Sequence, residues 1–354
     1  MLNMKTLYES LLDDDLISKT DKMIKDEIKA FLKENYTGVS LCKISRKPNS
    51  DGKYEVSSPK HIEVKNNNIT SLTNGMFIWT TVDGHFNCSY CNSLTSLKGA
   101  PKEVGEDFSC IGCQSLKTLE GAPKEVGGGF YCYDCTHLTS LEGTPKEVSG
   151  NFYCYNCESL ISLKDAPKEV NGDFYCYSCK SLTSLEGAPE KVVGSFNCSS
   201  CESLKSLEGA SKEVGKNFYC YSCKSLKSLV GAPEKIAGSF NCSGCESLKS
   251  LVGAPKYVDE HFYCDSCDSL TSLVGAPEKV SGGFYCDYCD SLTSLEGAPE
   301  KIGGGFNCSF CGSLKSLDGA PKEVGGNFEC KGFKIKFIEN DIKKVSNVKR
   351  KIIC

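Results

Sequence analysis

A 22-residue unit begins at Phe86 and returns at Phe108, Phe130, Phe152, Phe174, Phe196, Phe218, Phe240, Phe262, Phe284, Phe306 and Phe328 without an insertion or a deletion. A unit this short cannot cover its own apolar face, so a fixed period of this length predicts a solenoid in which stacked neighbours bury one another. The copy starting at Phe174 reads FYCYSCKSLTSLEGAPEKVVGS, and its Phe, Cys, Leu, Gly, Ala, Pro and Val recur almost throughout. Alternation in Phe-x-Cys points Phe174 and Cys176 inward and Tyr175 and Tyr177 outward, as a half-buried strand requires. Leu182 and Leu185 are expected to tuck under the coil from a turn of irregular or helical chain. Gly187-Ala188-Pro189 then turns the backbone, and Val192 returns it to the next Phe. The fold class expected is a repeat β-solenoid of about 12 coils.

Strand edges at the ends of a stack need covers. Projected backward from Phe86, the period puts Val64 at the Phe position, Asn66 and Ile69 at the two Cys positions, Leu72 at the first Leu and Val82 at Val, which makes 64–85 a degenerate first coil. Before it, Thr20-Asp21 reads as the cap of a helix to about residue 35 with Met23, Ile24, Ile28, Phe31 and Leu32 as its apolar stripe, and a shorter helix is expected about Leu7, Leu11 and Leu12. Pro48-Asn49-Ser50-Asp51-Gly52 is turn chemistry between two strands. Residues 1–60 are thus expected to form a small α+β head, 61–332 the solenoid, and 333–354 a C-terminal cap with a helix from Glu339 to Val348 and a strand at Ile352-Ile353.

Of 25 cysteines, 23 fall in two columns, Cys88 to Cys330 and Cys91 to Cys311. Successive C-x-x-C motifs are spaced as in zinc ribbons. Against a metal array stand the absence of any grouping into four-ligand sets, the scattered histidines (His61, His85, His137, His261) and the apolar Ile69 and Phe333 at second-Cys positions. Cysteine in an apolar column acts as a small buried hydrophobe. Stacked coils about 4.8 Å apart permit disulfides, but an odd cysteine count and the lack of a secretion signal favour thiols. No cofactor or metal is expected, and the zinc-binding array stays as an alternative.

A formal net charge of −4, with interleaved Lys and Glu, provides no basic stripe for nucleic acid and no polybasic membrane patch. No apolar run is long enough to span a bilayer. The motifs of nucleotide-binding loops, zinc proteases and serine hydrolases are missing, so the chain is not expected to be an enzyme. A cytoplasmic setting is expected.

The unit C-x-S-L-x-S-L-x-G-A-P-x-x-V, over residues 64–332, resembles the leucine-rich-repeat superfamily, especially its cysteine-containing bacterial branch. The string LEGAPKEVGGG followed by Phe130-Tyr131-Cys132, with an ending DIKKVSNVKRKIIC and a beginning MKTLYESLL, is similar to uncharacterised 22-residue-repeat proteins of large tailed bacteriophages. That resemblance implies a phage-encoded protein of the host cytoplasm or the virion. Gly-Ala-Pro replaces the second strand residue of the leucine-rich unit, so a straighter β-solenoid is as admissible as a horseshoe.

Any function must come from the outward columns. Tyr131, Tyr153 and Tyr175 occupy consecutive coils, as do Tyr133, Tyr155 and Tyr177 two residues along the same face, and Tyr219, Tyr221, Tyr263 and Tyr285 are expected to extend the patch with Asn197, Asn241 and Asn307 interleaved. Rigid aromatic groups with polar tips are favoured at interaction surfaces, while stacked tyrosines also stabilise neighbouring strands by roughly 0.2–1 kcal/mol a pair. The expectation is a scaffold that binds a protein partner through this face, with a carbohydrate-binding or adhesive module as a further alternative. Val230, Val252 and Val274 form a small apolar patch, and the charged pairs after each Pro suit solubility and register.

Overall fold

The computed structural model of the chain describes residues 14–332 and 337–354. The helix expected about Leu7, Leu11 and Leu12, and Phe333, lie outside the described residues.

Each regular coil contributes two short strands. The Phe-x pair joins a 15-stranded sheet, and the Glu-Val or Lys-Val pair joins a second sheet system that divides into runs of five, four and six strands. Pairing in the first sheet is parallel and in register, Phe152 on Phe174 and Phe174 on Phe196, so a shift of 22 residues maps each rung onto the next. Only the first of the 15 strands is antiparallel, and the other fourteen mark thirteen turns.

The side-chain period of two dictates what these strands bury. Phe174 and Cys176 are wholly enclosed, and Cys179, Leu182 and Leu185 follow them inward. The leucines sit on turns, not on a helix: the Leu182 amide donates to the Cys179 carbonyl (3.0 Å) and the Ala188 amide to the Leu185 carbonyl (2.9 Å). Stacking places like on like, with Phe152 and Phe174 rings 5.5 Å apart and Phe196 and Phe218 5.0 Å apart. Each enclosed Phe or Leu is worth about 1.5–3 kcal/mol relative to exposure, and that gain exists only because the adjoining coils are there. Gly187 shows why the corner is glycine. Its φ is +89°, and a Cβ there would lie 2.5 Å from the backbone of Lys164 in the preceding coil.

At the N-terminal end, helix α1 (Asp14–Asn35) packs Ile28 and Leu32 into the core. The helix starts earlier than its expected cap, so Asp21 lies inside it and accepts a hydrogen bond from the Tyr54 hydroxyl (2.5 Å). Met23, expected on the apolar stripe, is 66% exposed. Strand β1 (Tyr36–Thr37) runs antiparallel to β4 (Ile62–Val64) and covers that sheet edge. The turn about Asn49 joins β2 (Lys43–Ile44) to β3 (Tyr54–Ser58), and β3 pairs in parallel with β5 (Phe77–Val82) of the second sheet. One apolar core runs from Ile28 through the coils, so the head is continuous with the stack.

The first coil is offset from the projected period. Ile62, not Val64, pairs with Phe86. Val64 therefore takes the first-Cys place. The Ile69 amide bonds the Asn66 carbonyl as the Leu94 amide bonds the Cys91 carbonyl, which puts Asn66 at the second-Cys place and Ile69 at the first Leu. The Asn66 side-chain amide donates to Asn35 Oδ1 (2.8 Å), and Asn35 in turn donates to the Phe31 carbonyl in the last turn of α1 (3.0 Å). The extra residues of this coil are absorbed between Leu72, which takes the second-Leu place, and Val82, which pairs with Val104.

At the other end, helix α2 (Glu339–Val345) buries Ile342 and stops before the expected Val348. Asn347–Val348 instead forms a strand on Glu323–Val324, and Ile352–Ile353 pairs with Phe328–Glu329. This register carries Cys354 to the first-Cys column beside Cys330, beyond the 23 cysteines assigned to the columns from the period alone.

Candidate functional site

The strand pleat holds Tyr131, Tyr153 and Tyr175 in one outward column and Tyr133, Tyr155 and Tyr177 in a second. Ring centroids are 5.3 Å apart for Tyr131 and Tyr153, 4.8 Å for Tyr153 and Tyr175, and 4.3 Å for both Tyr133–Tyr155 and Tyr155–Tyr177. The columns touch each other through Tyr153 and Tyr155 at 6.0 Å and through Tyr175 and Tyr177 at 6.3 Å. Six of the eight expected site residues thus form one half-buried aromatic surface. Tyr219 and Tyr221 do not extend it by stacking, because the coil between carries Asn197 and Ser199. Tyr263 and Tyr285 form a separate stack at 4.9 Å.

The interruptions have a local cause. In Phe-Asn-Cys-Ser coils the Asn side chain accepts the amide N–H two residues on: Asn197 from Ser199 (2.9 Å), Asn241 from Ser243 (2.9 Å) and Asn307 from Ser309 (3.0 Å). The two outward rungs therefore change together, to Asn-Ser from the Tyr-Tyr or Tyr-Asp of the preceding coils. This covariation along the repeat was the available sequence signal.

Burial between neighbouring rings, reinforced by Asp173, pushes the Tyr153 phenol up to about 12, and the same two causes raise Tyr175 further. Burial also raises Tyr131, Tyr155 and Tyr177. These five phenols consequently keep their protons at neutral pH and offer neutral donors on apolar rings.

Inside, the two cysteine columns form a ladder. The second-column thiol donates to the first-column carbonyl of the preceding coil, Cys179 to Cys154 (3.3 Å), Cys201 to Cys176 (3.3 Å) and Cys223 to Cys198 (3.2 Å). Several first-column thiols reach forward instead, as Cys242 does to the Tyr263 carbonyl (3.3 Å). A thiol engaged this way satisfies a backbone acceptor, a role open to S–H and not to thiolate. Burial drives Cys154, Cys176 and Cys198 well above the ordinary thiol range and Cys223 and Cys267 to about 12. All 23 cysteines from Cys88 to Cys330 are buried and unbridged.

A further column, just before the Phe of every coil that does not carry glycine there (Gly129, Gly283 and Gly305 do), was not anticipated. Its side chains accept the amide N–H of the equivalent position in the next coil: Asp107 from Gly129 (2.6 Å), Asn151 from Asp173 (2.8 Å), Asn217 from Ser239 (2.8 Å) and His261 from Gly283 (2.9 Å). His61 and His85 belong to it. Their rings stack at 4.5 Å, and Glu106 lies 2.9 Å from His85 Nε2, so two histidines that look scattered in sequence meet beside a carboxylate. Both Nδ1 atoms, however, accept backbone amides, from His85 (2.9 Å) and Asp107 (3.1 Å). The neutral rings therefore carry their proton on Nε2. A metal ion here would have to displace a backbone hydrogen bond or that proton.

A cleft of about 900 Å³ lies where Glu125–Val126 and Glu147–Val148 fail to pair in the second sheet, and Lys124, Glu125, Lys146 and Glu147 line it with charges of both signs. Val230, Val252 and Val274 are 42–48% exposed and form the anticipated small patch. Of the charged pairs after Pro, Lys256–Glu234 and Lys322–Glu300 bridge adjacent coils. Among the described residues, no helix is long and apolar enough to cross a membrane. No family model matches the chain, and neither does any curated protein or solved structure.

Proposed function

We propose that the chain is a non-enzymatic scaffold that presents its tyrosine face to a protein partner. One observation carries this reading: six tyrosines stand in two stacked columns on a rigid sheet, half-exposed, their rings 4.3–5.3 Å apart along each column. Aromatic side chains already fixed in position lose little freedom on binding, and such groups dominate interface energetics. The repeat resembles leucine-rich units and the 22-residue repeats of large tailed phages, which favours a phage-encoded protein working in the host cytoplasm or virion. Buried thiols fit a reducing compartment. The thiol-to-carbonyl ladder favours packing over a zinc array.

The test is a pull-down with the intact chain, followed by titration of the recovered protein against wild type and Tyr131/Tyr153/Tyr175→Ser. At least a tenfold loss of affinity is expected, and an unchanged affinity removes the face from consideration.

A further inference from the structure

The tyrosine columns are broken twice, and the second break is open. At the coil beginning with Phe240 the outward positions hold Asn241 and Ser243, and the next residue is Gly244. With three small groups in one coil, the surface sinks into a notch of about 410 Å³, lined on one side by Tyr221 of the preceding coil and on the other by Asp265 of the following one. Tyr221 is 38% exposed. Ser243 Oγ donates to Asp265 Oδ1 (2.5 Å), which orients that carboxylate and leaves its second oxygen without a hydrogen bond among the described residues.

Charge accumulates on the Asp265 side. Asp287 holds the same place one coil on, about 4.8 Å away. Burial raises its carboxyl above the ordinary range, and Asp265 and Glu329 add to the effect. Neither Asp265 nor Asp287 forms an ion pair with a described residue, although lysines neutralise acidic groups elsewhere on the surface.

An occupant that completes this site needs three properties. It must be flat, to lie on Tyr221 in the space of a missing rung. It must be cationic, to offset two adjacent carboxylates, and it must donate hydrogen bonds in its own plane. A neutral sugar or aromatic ring lacks the charge, and an ammonium lacks the plane. A guanidinium has all three, since it stacks on aromatic faces and pairs with carboxylates through a planar fork. We propose that the notch receives an arginine side chain of the partner protein, packed against Tyr221 with its N–H edge turned to Asp265. This inference rests on the outward strand face being the binding surface.

The probe is the tripeptide amide acetyl-Gly-Arg-Gly, titrated against the intact chain by saturation-transfer NMR. The expected result is binding that weakens at least tenfold when citrulline or lysine replaces the arginine, and equally for Asp265→Asn. The double variant Asn241→Tyr/Ser243→Tyr restores the missing rungs and should abolish binding; it also serves if Asp265→Asn fails to fold. Tyr131/Tyr153/Tyr175→Ser should bind the tripeptide normally, so failure of the notch and failure of the tyrosine face are separable. Equal binding of the citrulline peptide, an unaffected Asp265→Asn, or a stronger signal from a neutral disaccharide would overturn the assignment.

Discussion

Native thiol reactivity offers a direct measure of whether the cysteine columns are packed or chemically engaged. Of the 25 cysteines, 23 are buried, Cys42 is partly exposed and Cys354 is exposed. With Cys223 and Cys267 held at about 12, on the order of 10⁻⁴ of each is thiolate at pH 8, against roughly a quarter for an unperturbed thiol near 8.5. Ionisation alone therefore slows a disulfide reagent about 10³-fold, before any steric barrier. Treatment with dithionitrobenzoate at pH 8 should show one fast thiol, lost in Cys354→Ser, a slower one from Cys42, and 23 that react only through unfolding, at rates rising with urea. In guanidinium the total should reach 25 without further additions. A total short by multiples of four and restored by a chelator would mean zinc sites. A total short by twos and restored by reductant would mean disulfides. Several fast thiols in the native state would refute the packed core itself.

Two further perturbations probe the coil geometry. Gly187→Ala combines left-handed strain with a Cβ placed 2.5 Å from the Lys164 backbone, whereas Gly75→Ala, at φ +85°, meets nothing within 4 Å. The former should cost about 3 kcal/mol and the latter about 1 kcal/mol by local hydrogen exchange, and equal costs would show that coil approach is irrelevant. Asp287 titrates above its unfolded value, so the folded state binds more protons than the unfolded in that interval and stability falls as pH rises through it. Asp287→Asn should therefore raise the urea midpoint at pH 7 and leave it unchanged near pH 3, below the unfolded carboxylate pKa of about 3.9.

The thirteen-turn stack was legible because twelve Phe-led units carry no length change, and strand alternation alone sorted Phe and Cys inward from Tyr outward. The first coil was misread for the same reason. Extending the strict period put Val64 where Ile62 sits, since a coil bounded by a helix cap obeys a different length constraint. The acceptor column at the position before Phe stayed hidden because His, Asp, Asn and Ser share no hydrophobicity, only a lone pair aimed at the next coil. That column also explains how His61 and His85 meet. At the tyrosine face the sequence located six stacked rings but missed that the Asn-Ser coils break the stack and that the one at Asn241 opens room beside Asp265.

In-register pairing at about 4.8 Å per coil turns the stack into a ruler. Four coils separate the Tyr153 rung from the Asn241 notch, a distance of about 19 Å. Every coil meets only its two neighbours, so excising one whole unit between them preserves both surfaces while moving them one notch closer. A partner that grips both places at once thereby senses how many repeats lie between them.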